Sequence, residues 1–303
     1  MKVGHRFFVA LALAFVPMLA LMGADVYVDS GVTASGNGTE VAPYKTIQEA
    51  IEAAEAGSTI HVAAGTYSTG STQCADGGYA RVVVKKSLKI KGAGRDRSFI
   101  VGTRGSGTAG LGTGAVRCVA IEADDVEISC FTIMNGYTSG SSGNEAKGYG
   151  GGVYSHNKSN GFVVDCTIRD CCAGRGGAIA RKDPGLENEG LAAVRCLLTN
   201  NRTASTSFAY CAFSVSLYWC IVTRHYNDSS SPVNAAPKVV NCTFDNNHCH
   251  HTFEACGGVC NTFVGQYAYK GGSGVESFTN MYFTSLGSGL VNAPDPKDCI
   301  FSG

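Results

Sequence analysis

One short pattern returns along most of this chain, and it constrains the fold more than any other feature. The segments 128–135 (Ile-Ser-Cys-Phe-Thr-Ile-Met-Asn), 163–170 (Val-Val-Asp-Cys-Thr-Ile-Arg-Asp) and 193–200 (Ala-Val-Arg-Cys-Leu-Leu-Thr-Asn) align on Phe131, Cys166 and Cys196. Later copies centre on Cys220, Cys242, Asn261, Met281 and Cys299, so the steps are 35, 30, 24, 22, 19, 20 and 18 residues. Like units separated by shrinking insertions are the mark of a repeat architecture.

Two residues beyond each anchor stand Ile133, Ile168, Leu198, Val222, Phe244, Phe263, Phe283 and Phe301, all apolar. Side chains in a strand alternate with period two, so anchor and anchor+2 share one buried face. Four residues beyond the anchor the chain has Asn135, Asp170, Asn200, Arg224, Asn246, Gly265, Ser285 and Gly303, mostly turn formers. Each unit therefore reads as a short strand ending in a bend. No helical pattern separates the units. An antiparallel sandwich also has closely spaced strands, but it does not require like residues at like positions. A coil whose turns stack about 4.8 Å apart does, because each anchor lies over the last. The expected fold is an all-β parallel β-helix.

That fold gives the cysteines a role. The chain has 14, an even number, which in an oxidising compartment permits complete pairing. Yet Cys166, Cys196, Cys220 and Cys242 recur at the anchor, where stacked Cβ atoms sit near 4.8 Å, beyond the roughly 3.8 Å of a disulfide. A column of buried free thiols is the expectation for these four. Cys171, Cys172, Cys249 and Cys256 fall outside the column and are the better bridge candidates.

The first residues carry Lys2 and Arg6, an apolar run from Phe7 to Met22, and the small pair Gly23-Ala24. Basic, apolar, small is the order of a secretory signal. Pro17 interrupts the run, and its 16 residues fall short of the roughly 20 that span a bilayer. Secretion or periplasmic export with removal of residues 1–23 is expected, and no membrane span in the mature chain. The 24 basic and 24 acidic residues cancel. Losing Lys2 and Arg6 leaves a formal charge of −2, so no basic field attracts nucleic acid.

A short strand at Val26-Tyr27-Val28-Asp29 is followed by a glycine-bearing loop and then a helix. Thr46 and Glu49 form a capping box, Ile47, Ala50, Ile51 and Ala54 share one face, and Gly57 stops the helix. A stacked coil leaves an apolar unpaired end, and this helix is placed to cover it. The expected organisation is a leader over 1–23, an N-terminal cap over 24–67, and β-helix rungs over 68–303 whose C-terminal end reads as incomplete or uncapped.

The runs Tyr27-Val28-Asp29, 42–51 (Ala-Pro-Tyr-Lys-Thr-Ile-Gln-Glu-Ala-Ile), 56–67 (Ala-Gly-Ser-Thr-Ile-His-Val-Ala-Ala-Gly-Thr-Tyr) and 88–94 (Leu-Lys-Ile-Lys-Gly-Ala-Gly) resemble the opening of secreted bacterial β-helix proteins of the pectin-lyase-like superfamily. The resemblance implies a right-handed coil with an N-terminal capping helix. It implies little about activity, because that superfamily contains lyases, hydrolases, epimerases and noncatalytic surface proteins.

Sugar-cleaving members of such families work in a groove along one side of the coil, walled by loops. The long steps place insertions at 136–148 and 181–190. Near them stand Tyr137, Tyr149 and Tyr154, stacking platforms for pyranose rings, and Arg175, Arg181 and Lys182, partners for uronate carboxylates. Tyr149, Tyr154, Arg175, Arg181 and Lys182 are the candidate substrate-binding set, weighed against Tyr residues buried at rung edges and cations solvated on loops. A polyuronate lyase would add calcium, and Asp165, Asp170, Asp183, Glu187 and Glu189 are the acids at hand, but they form no calcium motif. No resident cofactor or metal is expected otherwise. The Asn-Thr-Asp, Gly-His-Gly and Arg-Ile-Lys signatures of β-helix polygalacturonases are absent, and Asp124-Asp125 has no matching partners. The run His248-Cys249-His250-His251 is dense in metal donors but lacks a zinc spacing. Gly176-Gly177-Ala178-Ile179 and Phe244-Asp245-Asn246-Asn247 resemble repeats of polymorphic outer-membrane adhesins. Two readings stay open: a secreted protein that binds or processes extracellular polysaccharide, acidic glycans included, by lyase-like chemistry if it is an enzyme, or a noncatalytic adhesin-like surface protein. The partner in either is a polysaccharide or cell-surface glycan.

Overall fold

The computed structural model describes residues 23–140, 146–156, 160–182, 190–204, 210–226, 233–234 and 236–251, then strand segments within 258–302. The proposed leader lies outside the described residues, apart from its last residue, as do Met281 and Cys299. The fold is a right-handed parallel β-helix. Among the described residues one sheet has eleven strands running from Asp25–Val28 to Pro296–Lys297, a second has ten from Gly65–Tyr67 to Ile300–Ser302, and a third has seven. A rung visits them in turn: Val126–Ser129, Thr132–Met134, then Val153–Ser155. Every pairing in the first two sheets is parallel. The antiparallel exception, Thr72–Gln73 against the strand Tyr79–Val84, is a hairpin at the start of the third sheet.

Register confirms the repeat. Ile133 pairs with Ile168, Ile168 with Leu198, Leu198 with Val222, Val222 with Phe244 and Phe244 with Phe263, continuing to Phe283 and Phe301. The same column reaches back through Ile100 to Tyr67, two rungs before the sequence pattern becomes recognisable. Its members from Ile100 to Phe244 are fully buried. Filling one rung position with Ile, Leu, Val or Phe makes each turn the floor of the next, and each such side chain contributes about 1.5–3 kcal/mol when enclosed.

The anchors do not share a strand with their anchor+2 partners. They sit one residue earlier, at the corner between the first and second sheets. Phe131, Cys166, Cys196, Cys220, Cys242 and Asn261 are all buried there. Each of the first five follows a residue in the left-handed region: Cys130, Asp165, Arg195, Trp219 and Asn241, with φ between 52° and 64°. The anchor+4 residues Asn135, Asp170, Asn200, Arg224 and Asn246 adopt the same conformation at the next corner. One left-handed residue thus turns the chain at each side of the second sheet.

Such a tight corner removes a backbone N–H from the regular ladder, and the anchor side chain of the next rung replaces the missing acceptor. Asn261 Oδ1 accepts the Cys242 N–H at 2.8 Å while its Nδ2 donates to the Val239 carbonyl at 2.8 Å. Cysteine makes the same two bonds with one atom. Cys242 Sγ accepts the Cys220 N–H at 3.4 Å, and the Cys196 and Cys220 thiols donate to the Val163 and Ala193 carbonyls at 3.2 and 3.3 Å. In these three bonds the carbonyl lies three residues before the preceding anchor, whereas the Cys242 thiol donates to Val240, two residues before itself. The ten cysteines whose side chains are described, Cys171 and Cys172 among them, are free thiols, while the Cys249 side chain and Cys256 lie outside the described residues. The bridge expected at Cys171 and Cys172 is therefore not formed; Cys171 instead makes the corner bond on the far side of the second sheet, its Sγ accepting from Gly136 N at 3.4 Å. Asn201 and Asn247 continue that second column, accepting from Cys171 N and His225 N and donating to the Ile168 and Val222 carbonyls. Burial raises the Cys166 thiol well above its ordinary value, and the bond to Cys220 followed by burial does so for Cys196. These thiols are packing and hydrogen-bonding groups, not nucleophiles.

The helix spans Ile47–Ala53, with its capping box made as expected. Ile47, Ala50 and Ile51 join the same buried cluster as the coil interior, closing its N-terminal end.

Candidate functional site

The second sheet is joined to its neighbours by corners of two residues on one side, five at 93–97, and by long connections on the other. In chain order the insertions expected at 136–148 and 181–190 adjoin strands of the third sheet, Val153–Ser155 and Ile179–Arg181. Its strands alternate as expected: Val82, Val119, Val153, Ile179 and Ala212 form an interior column, and Val83, Ala120, Tyr154, Ala180 and Phe213 form the outward one. The outward column is not exposed. Together with Cys74, Ala80, Tyr149 and Tyr210 it forms a second buried cluster outside the coil.

The hairpin from Thr72 to Tyr79 is held over this face by an ion pair. Arg117 NH2 and Asp76 Oδ2 are 2.7 Å apart, and both side chains are fully buried. Arg117 Nε donates to the Tyr149 carbonyl at 2.8 Å, and its guanidinium lies 4.7 Å from the centre of the Tyr154 ring. Asp76 Oδ1 also accepts the Gly78 N–H at 2.8 Å. A buried pair keeps its charges only when the remaining donors and acceptors are engaged, and here they are. Burial drives the Cys74 thiol up to about 12 and holds the Tyr154 hydroxyl neutral.

Polar groups continue from this clamp toward solvent. Tyr154 OH is 3.1 Å from His156 Nδ1. Burial, then the Lys182 charge, lowers the His156 pKa below its ordinary 6.5, so the imidazole is neutral at pH 7. Glu122 Oε1 accepts the Ala75 N–H at 2.6 Å, and Lys85 lies 4.0 Å from its other oxygen. On the neighbouring flank Arg175 donates to Tyr149 OH at 3.0 Å and packs against the Tyr149 and Phe213 rings at 5.2 and 4.6 Å.

The structure brings four of the five sequence-selected residues to this face but orders them by depth. Tyr154 is fully buried and Tyr149 is 8% exposed, so neither offers an open ring face for stacking. Arg175 is half-buried and Lys182 exposed. Arg181 departs: it pairs in register with Ser155, in the column of the interior residues Val84 and Ile121, and is 2% exposed. Room for it comes from Gly190, at φ 45°, where an added Cβ would fall 1.5 Å from the guanidinium. Tyr137 is separate, packed with Leu111, Ala115 and Cys172. The sequence did not single out Asp76, Arg117, Glu122 or His156. The signal for Arg117 was a charge set into the apolar run from Ala115 to Ile121, at the head of the strand Arg117–Ile121.

The carboxylates named for calcium do not converge among the described residues. Asp165 is held by Arg195 at 2.8 and 2.7 Å, and Asp170 by Arg169 and Asn200, all at the corners of the second sheet. Asp183, Glu187 and Glu189 lie outside the described residues, and nothing is described of the His248–His251 side chains. Among the described residues no group of three or more His, Cys, Asp or Glu side chains is arranged to hold a metal, and no helix is long and apolar enough to cross a membrane. Two cavities, of about 350 and 360 Å³, lie at the capped end, one beside the helix and one around Tyr27, His61 and Lys91. Neither touches the third-sheet cluster.

Residues 30–192, which are 163 of the 303, match the family described as a protein of unknown function, DUF1565. The chain belongs to that family. The match covers the capping helix, the hairpin clamp and every residue of the candidate cluster except Tyr210 and Phe213. No curated protein matches this DUF1565 protein significantly. Solved structures with a similar fold include pectate lyase Pel9A, at 14% identity and a TM-score of 0.50, covering 91% of this chain and 79% of that one. Pectin methylesterase PemA from Erwinia chrysanthemi has 12% identity and a TM-score of 0.49, covering 91% and 92%. At these identities the likeness is one of fold.

Proposed function

We propose that this DUF1565 protein is secreted by bacteria and binds extracellular polysaccharide along the outer face of its third sheet. One observation carries the reading: the insertions of the coil adjoin strands of that sheet, and a buried clamp fixes aromatic and cationic groups under a rim made by His156, Arg175 and Lys182. In this arrangement Arg175 and Lys182 meet the ligand and Tyr149 carries Arg175. Tyr154 and Arg181 act from beneath, holding the rim in place. Cations presented on a rigid sheet suit the carboxylates of an acidic glycan, and a glycan-processing name on a protein of similar fold is in keeping with that class. A neutral His156 beside a protonated Tyr154 adds hydrogen-bonding capacity without adding charge.

The test is calorimetric titration with oligogalacturonate hexamers. Wild type is expected to bind, and Lys182→Gln to weaken binding several-fold while leaving the unfolding midpoint unchanged. Absence of binding to any acidic glycan, or binding indifferent to Lys182 and Arg175, sinks the proposal. Appearance of unsaturated uronate absorbance or new reducing ends during the same incubation makes the protein an enzyme. Binding without either supports the noncatalytic surface role.

A further inference from the structure

Across the coil from that face, the corner between the first and second sheets carries an outward row of left-handed residues. Four of the five are Cys130, Asp165, Arg195 and Asn241; the fifth is Trp219, at φ 52°. Asn and Asp tolerate this conformation because their short side chains bond locally, whereas a bulky aromatic there is a genuine outlier. Trp219 gains no burial in exchange, since it is 57% exposed. Its N–H donates to the Val240 carbonyl at 3.0 Å, so the surrounding rungs impose the corner whatever its side chain. A strained, exposed aromatic held by a rigid frame points to use of the side chain outside the molecule.

Its surroundings define what it would meet. The Tyr218 ring lies 6.1 Å away, and Ile221 is 47% exposed just beyond the corner. One rung earlier Arg195 grips Asp165 through two bonds of 2.8 and 2.7 Å, and Arg95 donates to the backbone carbonyls of both residues, at 3.0 and 2.7 Å. Arg95 also lies 3.5 Å from the Asp165 carboxylate, so that carboxylate is fixed between two guanidinium groups. Asn241 follows on the next rung. The row presents an aromatic platform bordered by immobilised hydrogen-bonding groups, a carboxylate set between two guanidinium groups.

We propose that this corner is a second carbohydrate-binding site, in which a pyranose ring stacks its C–H face on Trp219 while its hydroxyls bond the Asp165–Arg195 pair and Asn241. Its exposed aromatic platform sets it apart from the rim of the third sheet, and it does not depend on the function proposed for that rim. Aromatic groups with an apolar face and a polar edge are suited to such contacts.

Trp219 is the only tryptophan of the chain, so its emission reads the site directly. The experiment titrates the full-length secreted chain with neutral hexasaccharides of glucose, mannose, galactose and xylose, with oligogalacturonate as the acidic comparison. With at least one neutral sugar, acrylamide quenching is expected to fall by about half as one face of the ring leaves solvent. Trp219→Asn, a residue the corner already accepts, is expected to weaken calorimetric binding of that sugar by about tenfold or more, the size of a single interfacial anchor. Lys182→Gln should leave it unchanged. The proposal is overturned if no neutral sugar alters emission or quenching. It is equally overturned if Trp219→Asn binds as wild type, or if the emission change follows protein concentration without sugar, which would make the corner a contact between copies of this chain.

Discussion

The corners of the second sheet and the approaches to the third belong to the same rungs but treat the chain differently. At the corners a single left-handed residue makes the turn, and the interior position beside it has one task, to accept an N–H and donate to a carbonyl. Cys and Asn do this with different atoms and so exchange freely along the column, while Phe131 fills the same position on an early rung by packing alone. Around the third sheet no such template exists. The same outward strand position holds Val83, Ala120, Tyr154, Ala180 and Phe213, and burial is supplied from outside by a hairpin and by Tyr149 and Tyr210. Where stacking dictates every contact, sequence is repeated; where loops supply the contacts, it is free to build a site.

The sharpest way to break this contrast is at the hairpin clamp. Asp76→Ala leaves the buried Arg117 charge without its partner, and a loss of about 3–5 kcal/mol is expected in urea denaturation. Pairing Asp76→Leu with Arg117→Met is expected to recover most of it. A loss below about 1 kcal/mol for the single change would mean that the hairpin is not held by this pair.

A smaller effect tests the corner code. Asn201→Leu orphans the Cys171 N–H and the Ile168 carbonyl, and a loss of about 2 kcal/mol, the low end for two unmade bonds, is expected in urea denaturation. At Cys220 the substitution to Asn keeps both bonds and the substitution to Val removes both, so Asn is expected to be the less destabilising despite its polarity. The reverse order by urea midpoint would show that the column is chosen for size alone.

The smallest effect lies at the rim. Removing the Lys182 charge by Lys182→Gln is expected to raise the His156 pKa, read from its imidazole proton shifts, because Lys182 is the second cause of its depression after burial. A His whose folded pKa lies below its unfolded value leaves stability intact above pH 6.5 and subtracts from it as pH falls through the folded value. Stability between pH 6.5 and 5 should therefore fall less steeply in Lys182→Gln than in wild type. An unchanged His156 titration would place the two groups out of contact.

Much of the coil was legible because its signals are local. Ile133, Ile168, Leu198, Val222 and Phe244 announce their column by spacing alone, and Asn135, Asp170 and Asn200 announce the bend that follows. The assignment of Phe131 and Cys166 to the same strand as Ile133 and Ile168 missed by one residue, since a left-handed residue at Cys130 or Asp165 breaks the strand without Gly or Pro to mark it. The Asn201 and Asn247 column went unread beside Asn200 and Asn246, where neighbouring asparagines looked like ordinary turn residues. The candidate cluster was legible only as a region. Tyr149, Tyr154 and Arg175 were selected for the right face, yet their depth was not written in their neighbours.

What the amino-acid sequence determined by itself was the stacking: period two along each strand, one anchor per rung and a helix to close the exposed end, all set by contacts that every rung repeats. What only the tertiary structure decided was which outward residues meet solvent. Asp76 is 41 positions from Arg117 in the chain, and the pair encloses Tyr154 only after the hairpin folds back over a sheet that must already exist. On a strand an outward tyrosine reads the same whether water or another part of the chain lies above it, because alternation fixes the direction of a side chain and not what waits there.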